Sequence, residues 1–135
     1  MAKDFELLVS LDKVHVIAKD KDSSLSSVTL KPGHVVAVNQ DGKIVKGTAG
    51  KLPLFVVISD ESEPVTLAAG KISLMFGIAR FKTKLYDTSV TYSVGDGLTV
   101  KANDVILTKV TTGQTPCAYV ESITSDGYLI VRWAI

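Results

Sequence analysis

Tyr92-Ser-Val-Gly-Asp-Gly-Leu-Thr-Val100, Val105-Ile-Leu-Thr-Lys109, Cys117-Ala-Tyr-Val-Glu-Ser-Ile123 and Asp126-Gly-Tyr-Leu-Ile-Val-Arg-Trp133 follow one another between Thr91 and Trp133. Their reading decides the fold. Short apolar runs separated by Gly, Asn and Asp are the pattern of an antiparallel β meander. Ser125-Asp126-Gly127 supplies residues that tolerate the backbone of a tight reversal, so a final hairpin is expected between Ile123 and Tyr128. Alternation then places Leu129, Val131, Trp133 and Ile135 on one strand face, and Tyr128, Ile130 and Arg132 on the other.

The same grammar runs upstream. Lys31-Pro32-Gly33 reads as a turn, Val35 to Val38 as a buried strand, Gln40-Asp41-Gly42 as a hairpin turn and Ile44-Val45 as the return. Leu54 to Ile58 and Val65 to Ala68 are further strands, and Lys13 to Ala18 is strand-like through Val14, Val16 and Ile17. Lys19 to Ser24 reads as a solvated loop, with room for one short helical turn at Ser23 to Ser27. The longest strand signal is Lys71 to Leu85. Its apolar parity changes from Ile72, Leu74, Phe76 and Ile78 to Ala79, Phe81, Thr83 and Leu85. Either a one-residue bulge at Gly77 or a passage from one sheet to another there accounts for the change.

No segment sustains helical spacing of apolar residues. The expected fold is therefore all-β: a compact antiparallel β barrel or sandwich of short strands. Residues 1–12 are expected to be an extended N-terminal arm or a first strand, and 13–135 a single β domain. An ungapped echo aligns Gly33 with Gly95, Val36 with Leu98, Val38 with Val100 and Ile44 with Ile106. It reads as either a duplicated unit or two generic turn-strand-turn-strand pieces.

With 135 residues the chain suits one domain that folds without crosslinks. Hydrophobic residues at 46% against 21% charged place it among globular chains. Lys+Arg 15 against Asp+Glu 14 leaves no basic excess, so direct nucleic-acid binding is not expected. Cys117 is the only cysteine, which suits a reducing cytosol. Met1 to Glu6 lacks the apolar segment of a signal peptide, and the run Pro53 to Ile58 is too short to span a bilayer, so no membrane partner is expected.

Candidate chemistry is sparse. Gly47-Thr-Ala-Gly-Lys-Leu52 resembles a phosphate-binding loop only superficially, since the glycine spacing is wrong and Leu52 stands where a hydroxyl is needed. Gly95-Asp96-Gly97 lacks a dinucleotide fingerprint around it. Asp20 with Asp22, and Asp60, Glu61 and Glu63, lack the glycine-bearing calcium loop and read as solvated acidic turns. His15, His34 and Cys117 show no zinc spacing, and Cys117 reads as a small buried hydrophobe. No metal, cofactor or catalytic residue is expected, and an enzyme is not the expected class. Trp133 shares its parity with Leu129 and Val131, which points to the core, not to an exposed sugar platform.

Leu30-Lys-Pro-Gly-His-Val-Val-Ala-Val-Asn-Gln-Asp-Gly-Lys-Ile-Val45, Tyr92 to Val100 and Asp126 to Trp133 together give the chain an order of features that resembles the capsid decoration (cement, or head-stabilising) proteins of tailed bacteriophages. The resemblance implies a β-rich, non-enzymatic virion protein without a cofactor. Such a protein is made in the host cytoplasm and bound as a homotrimer to the capsid exterior, where it clamps neighbouring major capsid protein subunits. It also implies attachment by an N-terminal arm, here Phe5, Leu7, Leu8, Val9 and Leu11. The alternative is a non-catalytic β-sandwich module that binds a glycan or small ligand.

Overall fold

In a computed structural model, which describes residues 4–9, 14–62 and 71–134, the chain is all-β. The strands are β1 (Phe5–Leu7), β2 (His15–Lys21), β3 (Val35–Val38), β4 (Lys43–Val45), β5 (Phe55–Val57), β6 (Ile72–Phe76), β7 (Ile78–Thr83), β8 (Gly97–Val100), β9 (Leu107–Lys109), β10 (Ala118–Ile123) and β11 (Leu129–Ala134). They form two bodies. β2-β4-β3-β5-β6 close into a small barrel, and β1-β7-β11-β10-β8-β9 form a six-stranded sheet. Among the described residues every strand pairs antiparallel except β2 with β4, where Asp20 meets Lys43 and Lys21 meets Ile44 in parallel, and an isolated parallel bridge joins Tyr86 to Leu107. The expected strand Val65 to Ala68 lies outside the described residues.

One ribbon belongs to both bodies. β6 pairs with β2 and β5 in the barrel, and two residues later β7 pairs with β11 and β1 in the sheet. The sole residue between them is Gly77, whose φ of +93° is in the region that side chains avoid, and a Cβ there would lie 3.1 Å from His15. Of the two explanations for the change of parity, passage between sheets is the one observed. The core-facing set never changes: Met75, Ala79 and Phe81 all join one cluster with Leu98, Val120, Val131 and Trp133. Ile72 and Leu74, on the other parity, fill the barrel with Val36, Ile44 and Val57. β6 thus buries both faces, which is why its sequence looks uniformly apolar. Beyond Gly77 the barrel no longer covers the second face, and Ile78 is 77% exposed.

The other expectations meet the structure as follows. Trp133, Val131 and Leu129 are buried, with Trp133 against Phe81 at 6.2 Å between ring centres. Tyr128, expected on the strand face opposite Trp133, is also buried, and the ammonium groups of Lys82 and Lys84 lie 4.5 and 4.6 Å from its ring centre. Lys19 to Lys21 is not a loop but the end of β2. Its charges are accommodated by partners: Asp20 accepts from Lys71 at 2.8 Å, and Lys21 pairs with Glu61 at 2.7 Å while donating to the Val28 carbonyl. The short helical turn exists as a 3-10 turn at Ser23–Leu25, capped by the Asp22 carboxylate, which accepts from the Ser24 N–H. In the echo, Gly33 and Gly95 have φ of 99° and 94° and each precedes the first strand of a hairpin, β3–β4 and β8–β9.

Adjacent positions on β7 should respond very differently to substitution. Phe81→Ala empties the shared core and should lower unfolding free energy by about 3–5 kcal/mol. Ile78→Thr, on the uncovered face, should change it by no more than about 0.5 kcal/mol. Urea denaturation of the two variants checks both.

Candidate binding surfaces

The N-terminal segment is a strand of the body. β1 pairs with β7 through Phe5 with Thr83, Glu6 with Lys82 and Leu7 with Phe81. Phe5, Leu7 and Val9 pack against the shared core, and the Phe5 ring lies 5.0 Å from that of Phe81. Phe5 also fills the space over Gly33, where an added Cβ would meet it at 3.1 Å, so a side chain at 33 would push β1 off the barrel turn. Leu8 points outward at 36% exposure, and Leu11 lies outside the described residues. β1 sits at one end of the sheet order, so its outer edge has no strand partner among the described residues.

The barrel has an apolar mouth. Cross-strand pairing puts His15 opposite Phe76 and Ile17 opposite Leu74, so these side chains continue the barrel's interior row outward. Ile17, Pro53, Leu54, Phe55 and Phe76 line a recess of about 390 Å³. The Phe55 and Phe76 rings meet edge to face at 5.8 Å, and His15 stacks on Phe76 at 5.0 Å. Leu52, next to Pro53 in sequence, is 40% exposed. Apolar runs such as Leu54 to Ile58 signalled a strand, but nothing in sequence alone said that one end of the barrel would be open.

A second recess opens on the outer face of the six-stranded sheet. Val94, Gly95, Tyr119, Val120, Glu121 and Arg132 line about 330 Å³ there. The Arg132 guanidinium lies 5.6 Å from the centre of the Tyr119 ring, while Arg80 donates from Nε to Glu121 at 2.9 Å. Glu121 shares the outer face of β10 with Tyr119 by alternation with the buried Ala118 and Val120, and a register shift lies beside it, between Val120 and Ser122. That irregularity carried no sequence signal.

The remaining candidates are structural. His15, His34 and Cys117 stand on separate elements, and no group of three or more metal-ligating side chains converges among the described residues. Cys117 is buried, and burial pushes its thiol up to about 12. In the phosphate-loop lookalike, the Gly50 N–H donates to Thr99 Oγ1, fastening the loop to β8. Asp60 accepts from the Ser62 N–H and hydroxyl and so braces its own turn, whereas Glu61 accepts from the distant Leu30 N–H and ties that turn to the segment before β3. Glu63 lies outside the described residues. No helix among the described residues is long and apolar enough to cross a membrane.

No family model, curated protein or solved structure matches the chain.

His34 generates a pH prediction. Its Nδ1 accepts the Lys31 N–H at 3.0 Å, and burial, with Lys31 nearby, holds its pKa below the ordinary histidine value. The unfolded chain then binds the extra proton more readily, so stability rises with pH through this range. Stability should fall as pH drops from the ordinary value near 6.5 through the folded one. His34→Gln should flatten that part of the profile in thermal melts taken from pH 7 to about pH 5.

Proposed function

We propose that this protein is a structural component of a phage virion, attached to the capsid exterior, where it clamps neighbouring major capsid protein subunits as a homotrimer. The observation that carries the reading is the barrel mouth. An apolar recess of five side chains, with His15 stacked on its Phe76 and exposed Leu52 next to its Pro53 in sequence, is surface that a free chain leaves wet. Burying it against a protein is favourable at roughly 25 cal/mol per Å² of apolar area. Its lining offers no side-chain hydrogen-bonding group, whereas small-ligand pockets generally place a few polar groups to orient their guest. The resemblance of Leu30 to Val45, Tyr92 to Val100 and Asp126 to Trp133 to decoration proteins supplies the identity of the partner.

In this reading the N-terminal residues Phe5, Leu7, Leu8 and Val9 act without leaving the body. The outer edge of β1 offers backbone groups to which a capsid strand adds, and Leu8 supplies an outward side chain. Three copies linked as a trimer turn weak single contacts into stable attachment. The glycan or small-ligand module is the second reading, favoured by one observation: the Tyr119 recess combines a ring, a guanidinium and a carboxylate.

Co-sedimentation with expanded shells and with unexpanded precursor shells of the major capsid protein encoded alongside this chain tests the proposal. The protein should travel with expanded shells, and Leu52→Asp should weaken that association about ten-fold or more without changing thermal stability. Absence of binding to either shell overturns the reading.

A further inference from the structure

Arg80 and Arg132 lie directly opposite each other on β7 and β11, and Tyr119 lies opposite Arg132 on β10. Like charges facing each other across an antiparallel pair repel, so this row calls for anions. Glu121 answers for Arg80, accepting from its Nε and pairing with its terminal nitrogen. The neighbouring cations are also engaged: Lys82 pairs with Glu6 at 3.5 Å and Lys84 rests over Tyr128. Arg132 meets no carboxylate among the described residues, and its guanidinium lies over the Tyr119 ring. Stacking occupies the face of a guanidinium and leaves its in-plane N–H donors for an acceptor. The open recess of about 330 Å³ lies beside those donors.

We propose that this recess receives the carboxylate of an Asp or Glu side chain from an acidic segment of a partner protein, which binds Arg132 beside Tyr119 and balances the second arginine of the row. The partner is a protein segment because the row continues an apolar path. Phe76 at the barrel mouth, Ile78 and Arg80 follow at alternate positions of one ribbon. Val94, 67% exposed, adds an apolar rim on the other side. Apolar contact at the mouth and Ile78 with a carboxylate on Arg132 suits an extended chain of mixed apolar and acidic residues. The inference deepens the attachment reading and takes from it only that the partner is a protein.

The test is an amide NMR titration of the full chain with a blocked peptide of alternating Glu and Val, and with its Gln and Val counterpart. The acidic peptide should shift Val94, Gly95, Tyr119 and Arg132, and added salt should weaken it. Arg132→Gln should lower its affinity about ten-fold or more. Lys46→Gln, an exposed lysine changed by the same charge, should leave it unaltered. Absence of shifts, equal binding of the uncharged peptide, retention of affinity in Arg132→Gln, or equal loss in Lys46→Gln overturns the proposal. So do shifts produced by sialyllactose and not by the peptide, which assign the recess to an acidic glycan. An Arg132→Gln protein that sediments with expanded shells as the parent does defeats this inference and leaves the attachment reading standing. A protein that binds the acidic peptide but no shell does the reverse.

Discussion

The fold depends on one constraint: the ribbon from Ile72 to Thr83 must serve two sheets while keeping a single set of side chains in their common core. Met75 reaches that core from the barrel, and Ala79 and Phe81 reach it from the sheet. Gly77 lets the backbone turn between them through a conformation that other residues adopt only at a cost of roughly 1–2 kcal/mol. Because the alternation is preserved through the bend, the barrel and the sheet share one core, distinct from the barrel's own interior. The opposite parity changes its surroundings at the same point, from barrel interior to barrel mouth to open face. The exposed surface of this protein is a consequence of where that ribbon loses its cover.

That geometry also explains how much the sequence told. Strands such as Val35 to Val38 and the Asp126-Gly127 reversal were legible because turn chemistry and two-residue alternation are local signals. The anomaly at Gly77 was visible as a change of parity, but a bulge and a sheet-to-sheet passage produce the same pattern. Only pairing partners separate them. Lys19 to Lys21 misled because charge was taken for solvation, when two of the three charges had partners contributed by distant segments: Lys71 for Asp20, Glu61 for Lys21. Phe5 to Leu7 left arm and strand open, and the choice lies in long-range contacts with Gly33 and Phe81 that no local pattern encodes.

The surfaces were less legible than the core. Phe55 and Phe76 occupy strand positions of the kind that elsewhere are buried, and they form a mouth only because the barrel is short. Arg132 and Arg80 are far apart in sequence and become a like-charged pair through the register of β7 and β11. The register shift beside Glu121 is one that composition does not mark. An apolar mouth, a strand edge with no partner among the described residues and an incompletely balanced arginine row are all features that gain from contact with another macromolecule. In the proposed role that macromolecule is the capsid shell, and a rigid body with several weak contacts, repeated in a trimer, holds it by multivalency.

Hydroxyl-radical footprinting of the protein, free and bound to expanded shells, tests this account most directly. Oxidation of Leu52, Phe55, Phe76 and Ile78 should fall several-fold on binding, while Tyr86 and Tyr92, whose rings meet at 5.3 Å elsewhere on the molecule, keep their free rates. Protection of Tyr86 and Tyr92 with the barrel mouth and Ile78 unchanged would contradict it.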